Sequence, residues 1–136
     1  MRRVGGLFEQ AVSFDSLLQA YYRARRGTRK SVQVCAFGFR LEQELLQLQQ
    51  ELQEGVYRPR PYRHFEVRDP KQRLISVADF RDRVVHHSIV GVLEPIYERC
   101  FIYDSYATRK GKGAHAAVFR AQHFLRRNDW VKYNGY

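Results

Sequence analysis

No run of about 18 apolar residues occurs in this 136-residue chain, so no segment has the length of a membrane-crossing helix. Met-Arg-Arg at the start leads into Val-Gly-Gly, not into the apolar core of a signal peptide, and the expected compartment is the cytoplasm. Cysteine is scarce. Cys35 and Cys100 have no metal-ligand spacing and sit among apolar or aromatic neighbours, which predicts two buried free thiols in a reducing compartment. Histidine offers no metal site either. His86 and His87 are adjacent and would point about 100° apart on a helix, while His115 and His123 would lie about 12 Å apart along one. No Ser-His-Asp or Cys-His arrangement suits nucleophilic catalysis, so no catalytic residue is assigned. Without an internal repeat, low-complexity tract or linker, residues 1–136 are expected to form one domain or part of a larger one.

What the chain does have is apolar content, at 44% with 14% aromatics, and positive charge. The first supports a folded core. Lys and Arg number 24 against 14 Asp and Glu, a formal charge of +10. The excess is uneven: residues 1–55 hold 8 cations and 6 acids, residues 56–136 hold 16 and 8. A polyanion-facing surface is therefore expected mainly from the second part.

Along the chain, Ser13 reads as an N-cap for a helix carrying Phe14, Leu17, Leu18 and Tyr21, stopped by Gly27. The cations Arg23, Arg25, Arg26, Arg29 and Lys30 suit a solvated helix end, where they also complement the macrodipole, with phosphate tracking as the alternative. Phe37, Leu41, Leu45, Leu48 and Leu52 recur at helical spacing, predicting one core-forming helix over about 36–54, closed by Gly55. The alternate prolines of VYRPRPYR (56–63) exclude helix and favour an extended strap. Alternation about Phe65 and Val67, a turn at Asp69-Pro70, and the run Leu74, Ile75, Val77 predict a β-hairpin over about 63–77 with Arg68, Lys71 and Arg73 near its tip.

Asp79 then caps a helix carrying Phe80, Val84, Val85, Ile89, Val92, Leu93 and Ile96, with Asp82 at the third helical position in a capping-box-like pair. The two acids could suggest a metal pair, but capping answers both, because each has an Arg neighbour and helix-start donors to satisfy. The aromatic loop FIYDSYATRKGKG precedes another helix over about 111–127 and places Arg109, Lys110 and Lys112 at its start, where free N–H groups favour an anion. Its glycines lack the spacing of a Walker loop, and a purely structural basic loop is an equal reading of this segment alone. Asp129 to Lys132 reads as the start of a strand. The fold class is α+β, helix-rich with a basic β-hairpin, and affinity for nucleic acid or nucleotide is expected.

PKQRLISVADFRDRVVHHSIVGVLEPIYE, residues 70–98, resembles the first conserved block of the reverse transcriptases of bacterial retroelements, the group II intron, retron and diversity-generating retroelement branch. FIYDSYATRKGKGAHAAV, residues 101–118, is similar to their second block, and the resemblance runs over about 14–132. The Asp-Ser-Tyr-Ala and Arg-Lys-Gly-Lys-Gly details look most similar to the diversity-generating branch.

The resemblance implies the fingers and palm edge of a right-hand RNA-directed DNA polymerase. Lys71 and Arg73 match positions that meet the triphosphate of the incoming dNTP, where phosphoryl transfer needs charge neutralisation and positioning. Arg68, Lys110 and Lys112 are implied contacts to RNA template and DNA primer, Arg109 touches template or holds the fingers loop, and Tyr106 stacks on a base or packs in the core. The family's magnesium-holding palm aspartates begin on a strand that here reads WVKYNGY, with Asn134 at the matching place if one residue is skipped. An amide is a poor substitute for a magnesium-bridging carboxylate. The resulting expectation is an N-terminal fingers fragment that binds but does not polymerise alone, with no cofactor of its own and Mg2+ only in a full-length relative. An accessory protein partner and self-association through an exposed palm-facing surface are further expectations. The alternative is a self-standing basic RNA-binding module with no polymerase activity.

Overall fold

The computed structural model describes residues 4–127, so the strand expected from Asp129 and the position of Asn134 lie outside the described residues. The described elements are α1 (Leu7–Ala11), α2 (Phe14–Ala24), α3 (Val32–Phe39), α4 (Leu41–Gln53), β1 (Arg63–Arg68), β2 (Gln72–Val77), α5 (Phe80–Glu98) and α6 (Ala114–Arg126). Helices and one antiparallel hairpin make the fold α+β. The chain forms two compact units, Met1–Glu98 and Arg99–Tyr136.

In the first unit, α2 packs along α5, with α3 and α4 closing the core. Ser13 caps α2 by accepting from the Ser16 amide at 3.3 Å. Leu17, Leu45, Leu48, Phe80 and Val84 are fully buried, each worth about 1.5–3 kcal/mol of apolar transfer. Three rings from three helices meet at the centre. Tyr21 stacks on Phe37 with centroids 5.8 Å apart, and Phe80 meets both edge-on, at 6.0 Å from Tyr21 and 5.3 Å from Phe37.

The single helix expected over 36–54 is two. The backbone leaves helical geometry at Arg40, with φ −115° and ψ 34°, and its amide bonds back only three residues to Phe37. That break turns Phe37 into the aromatic centre while Leu45 and Leu48 face the same core, and it leaves Phe39 outside. The close of α4 follows the expectation. Gly55, at φ 69°, lets the Val56 amide reach the Glu51 carbonyl (3.0 Å) and its own amide reach Leu52 (3.2 Å), the paired bonds of a Schellman stop.

The cysteine expectation fails. Cys35 and Cys100 are exposed, because Cys35 lies on the face of α3 opposite Val34 and Phe37, and Cys100 follows the end of α5. The apolar stripe of α5 is also shorter than expected. Phe80, Val84 and Val85 are buried, whereas Ile89 is exposed and Val92, Leu93 and Ile96 are only partly covered.

The second unit is built differently. α6 buries none of its residues fully, and Val118, Phe119 and Leu125 are exposed. The segment before it is a succession of turns, with Thr108 at φ 55° and Gly111 at φ 73°.

Candidate nucleic-acid and nucleotide interface

The hairpin carries the first candidate surface. Its register pairs Arg63 with Val77, Phe65 with Ile75, Val67 with Arg73 and Arg68 with Gln72, leaving Asp69, Pro70 and Lys71 as the turn. Alternation then places Arg73 beside Phe65, Val67 and Ile75 on one face, and Arg68 on the other with His64, Glu66 and Ser76. The second face is cross-braced: the His64 ring nitrogen lies 2.8 Å from the Ser76 hydroxyl, and the Gln72 amide donates to Glu66 at 2.8 Å. Arg68, Lys71 and Arg73 are exposed, and none forms an ion pair with an acid among the described residues.

The first turn of α5 holds the strap and, through Gln33, the first residue of β1. Asp79 caps the helix as expected, its Oδ1 accepting from the Arg81 amide at 3.0 Å. Its carboxylate also takes the Gln33 side-chain amide at 2.9 Å and lies 3.4 Å from the Arg60 guanidinium. Gln33 in turn accepts from Arg63, the first residue of β1, at 2.9 Å. Asp82 departs from the capping-box expectation. Buried at the third helical position, it reaches sideways to the strap, accepting from the Tyr57 hydroxyl at 2.5 Å and the Arg60 amide at 2.9 Å. Burial, then the Asp82 carboxylate, pushes the Tyr57 hydroxyl above the ordinary phenol value.

Arg81 completes this base. It is buried, with Nη2 2.8 Å from Glu51 Oε1 in an ion contact too far off line to count as a hydrogen bond, and its guanidinium lies 5.8 Å from the Tyr57 ring centre. Partial burial pushes the Glu51 carboxyl up, but Arg81 and Gln47 outweigh it and hold Glu51 below the usual carboxylate range. Sequence reasoning missed this network. Its only signal was two acids three residues apart downstream of an aromatic that opens a proline-containing strap.

The loop of the second unit carries the other candidates, and most of its cations are turned inward. Arg109 Nη1 donates to the carbonyls of Ile102 (3.1 Å) and Ser105 (3.2 Å), and its guanidinium lies 5.3 Å from the Phe101 ring centre. Lys112 sits over the rings of Tyr103 (4.3 Å) and Tyr106 (5.0 Å) and donates to the Tyr103 carbonyl. Tyr106 donates to Asp104 at 3.2 Å, and Arg120, from α6, meets the same oxygen at 2.9 Å. That guanidinium holds the Asp104 carboxyl below its ordinary range, against burial and with help from the Tyr106 hydroxyl. Lys110 alone of the loop's predicted contacts is exposed. Arg120, which the sequence reading did not single out, is a principal brace of the loop.

Among the described residues no group of three or more His, Cys, Asp or Glu side chains is placed to hold a metal ion, and no helix is long and apolar enough to cross a membrane. Asp79 and Asp82, the two acids three apart at the start of α5, spend their oxygens on the bonds above.

No family model matches the chain. Over 81 residues, 58% of its length, it is 35% identical to Protein YkfC of Escherichia coli (strain K12), covering 21% of that protein. Over 80 residues, 57% of its length, it is 28% identical to the group II intron-encoded protein LtrA of Lactococcus lactis subsp. cremoris, covering 13% of that protein. The chain thus spans about a fifth or less of the length of the curated relatives it matches. The similarity is thus partial and includes a group II intron-encoded protein.

Proposed function

We propose that this chain is the fingers portion of an RNA-directed DNA polymerase of the group II intron, retron and diversity-generating retroelement branch. The observation that carries the reading is the hairpin: three cations with no acid partner among the described residues stand at the tip of a ribbon whose base is fixed by buried charge and hydrogen bonds. A triphosphate needs this combination, since neutralising its oxygens helps transfer only when the cations are already in place. Lys71 and Arg73 take the incoming dNTP in this reading, and Arg68 the adjoining backbone phosphate. In the second unit Lys110 meets template-primer phosphate, while Arg109, Lys112 and Tyr106 shape the loop that presents it, with Tyr106 the candidate base contact. We assign the chain no cofactor of its own, magnesium being expected only in a full-length relative.

The test is equilibrium binding of a labelled dNTP and a labelled template-primer to the 136-residue chain. Lys71→Ala and Arg73→Ala should each weaken dNTP binding about tenfold or more, the usual cost of a lost charge-assisted hydrogen bond, and affect template-primer less. Lys110→Ala should weaken template-primer uniformly across sequences and lower its salt slope by about 1. Equal effects of all three changes on every ligand would instead mark a self-standing basic RNA-binding module.

A further inference from the structure

A cleft of about 750 Å³ lies on the first unit between α3, the start of α4, the strap and the first turn of α5, within the range of small-ligand sites. Its floor is apolar, formed by the buried rings of Phe37 and Phe80 with Ala36. Two large apolar side chains stand at its rim in water: Phe39, 89% exposed, and Val32, 83% exposed. Lys30, Arg40 and Arg60 line it as well, and neither Lys30 nor Arg40 is paired with an acid among the described residues. The acids present are Glu44 and Asp79, and Asp79 is already occupied by the Arg81 amide, Gln33 and Arg60.

We infer that this cleft holds an unpaired nucleotide of RNA, its base stacked on Phe39 and its phosphates against Lys30 and Arg40. The inference rests on the reading that the chain binds RNA and adds a second, separate place of contact. A flat π surface flanked by cations is the combination by which proteins hold single strands without reading sequence. An apolar peptide would use Phe39 and Val32 but leave the cations unanswered, whereas a nucleotide answers both. Gln33 joins the cleft to the hairpin, because it lines the one and accepts from Arg63 at the foot of the other.

The experiment measures fluorescence anisotropy of a labelled oligouridylate of about 12 nucleotides with the whole chain, its Phe39→Ala, Phe39→Trp and Arg40→Gln variants, and Lys110→Ala as a reference. Phe39→Ala should weaken binding about 5- to 100-fold, Phe39→Trp should restore it, and Arg40→Gln should lower the salt slope by about 0.7. An oligomer with abasic sites should bind the parent and Phe39→Ala alike. Thermal melts confirm folding, which the exposure of Phe39 favours. If Phe39→Ala leaves affinity unchanged while Lys110→Ala reduces it, the cleft inference falls and the polymerase reading stands. If the parent shows no salt-sensitive RNA binding, both fall. Displacement of the Phe39-dependent signal by an acidic apolar peptide at lower concentration than by free oligouridylate would give the cleft to a protein partner and overturn the inference.

Discussion

Removing the Asp82 carboxylate tests whether one helical turn holds the hairpin strap in place. Asp82 is 2% exposed and accepts from the Tyr57 hydroxyl and the Arg60 amide. Asp82→Ala strands both donors. A stranded buried donor costs about 1–3 kcal/mol, and the partly exposed tyrosine recovers some of this from water, so the expected loss is about 2–4 kcal/mol. For a domain of this size a loss of about 3 kcal/mol lowers the thermal midpoint by roughly 10 °C. Tyr57→Phe removes one bond and leaves Asp82 with the other, costing about 1–2 kcal/mol. In the double variant no hydroxyl is left stranded, so its loss should fall short of the sum by about 1–2 kcal/mol. Urea unfolding followed by far-ultraviolet circular dichroism gives all four corners of the cycle, and trypsin cleavage after Arg63 reports on the strap. A loss under about 0.5 kcal/mol for Asp82→Ala, or strict additivity, would refute the reasoning.

Other outcomes follow from the same geometry. Gly38→Ala should cost about 1–3 kcal/mol despite its gain in helix propensity, because the new Cβ would lie 2.7 Å from the hydroxyl of Tyr21, whose ring is locked in the core; chemical denaturation measures it. Gly91→Ala should instead be neutral or stabilise by up to about 1 kcal/mol, since the atom it meets is the far end of the Arg23 side chain, which can swing away. His87 is held below its ordinary value by burial first, then by the charges of Arg23, Arg83 and His86. The unfolded chain therefore takes up this proton first. The His87 contribution to stability is complete above about pH 6.5 and is lost as pH falls from there toward the lower folded value, so His87→Gln should flatten that part of the stability curve. Lys112→Ala should loosen the Tyr103–Tyr106 loop, seen as faster amide exchange, at about 0.5–1 kcal/mol per lost cation–π contact, whereas Lys110→Ala should leave exchange unchanged.

Local chemistry was legible in the sequence wherever one residue's neighbours along the chain decided its state. Ser13 before an amphipathic run, Gly55 after one, and Asp69-Pro70 between alternating strands each act within a few residues, and each stands where expected. The split at Arg40 was not legible, because Phe37, Leu41, Leu45 and Leu48 keep helical spacing across it; only the ring packing of Tyr21 and Phe80 rewards the bend. Nor could the sequence say which cations would be internal. Arg109 and Lys112 look as available as Lys110 until the carbonyls and rings they engage are folded beside them. The partner of Asp82 lies 25 residues upstream, and no periodicity announces such a pair.

A six-residue strand extends about 20 Å, so the hairpin is a lever of that length standing on one turn of α5. A tilt of about 5° at its foot carries the ammonium of Lys71 through nearly 2 Å, more than the tolerance of a hydrogen bond to phosphate. Small adjustments in the Tyr57 strap are thereby magnified into the difference between grasping a ligand and missing it.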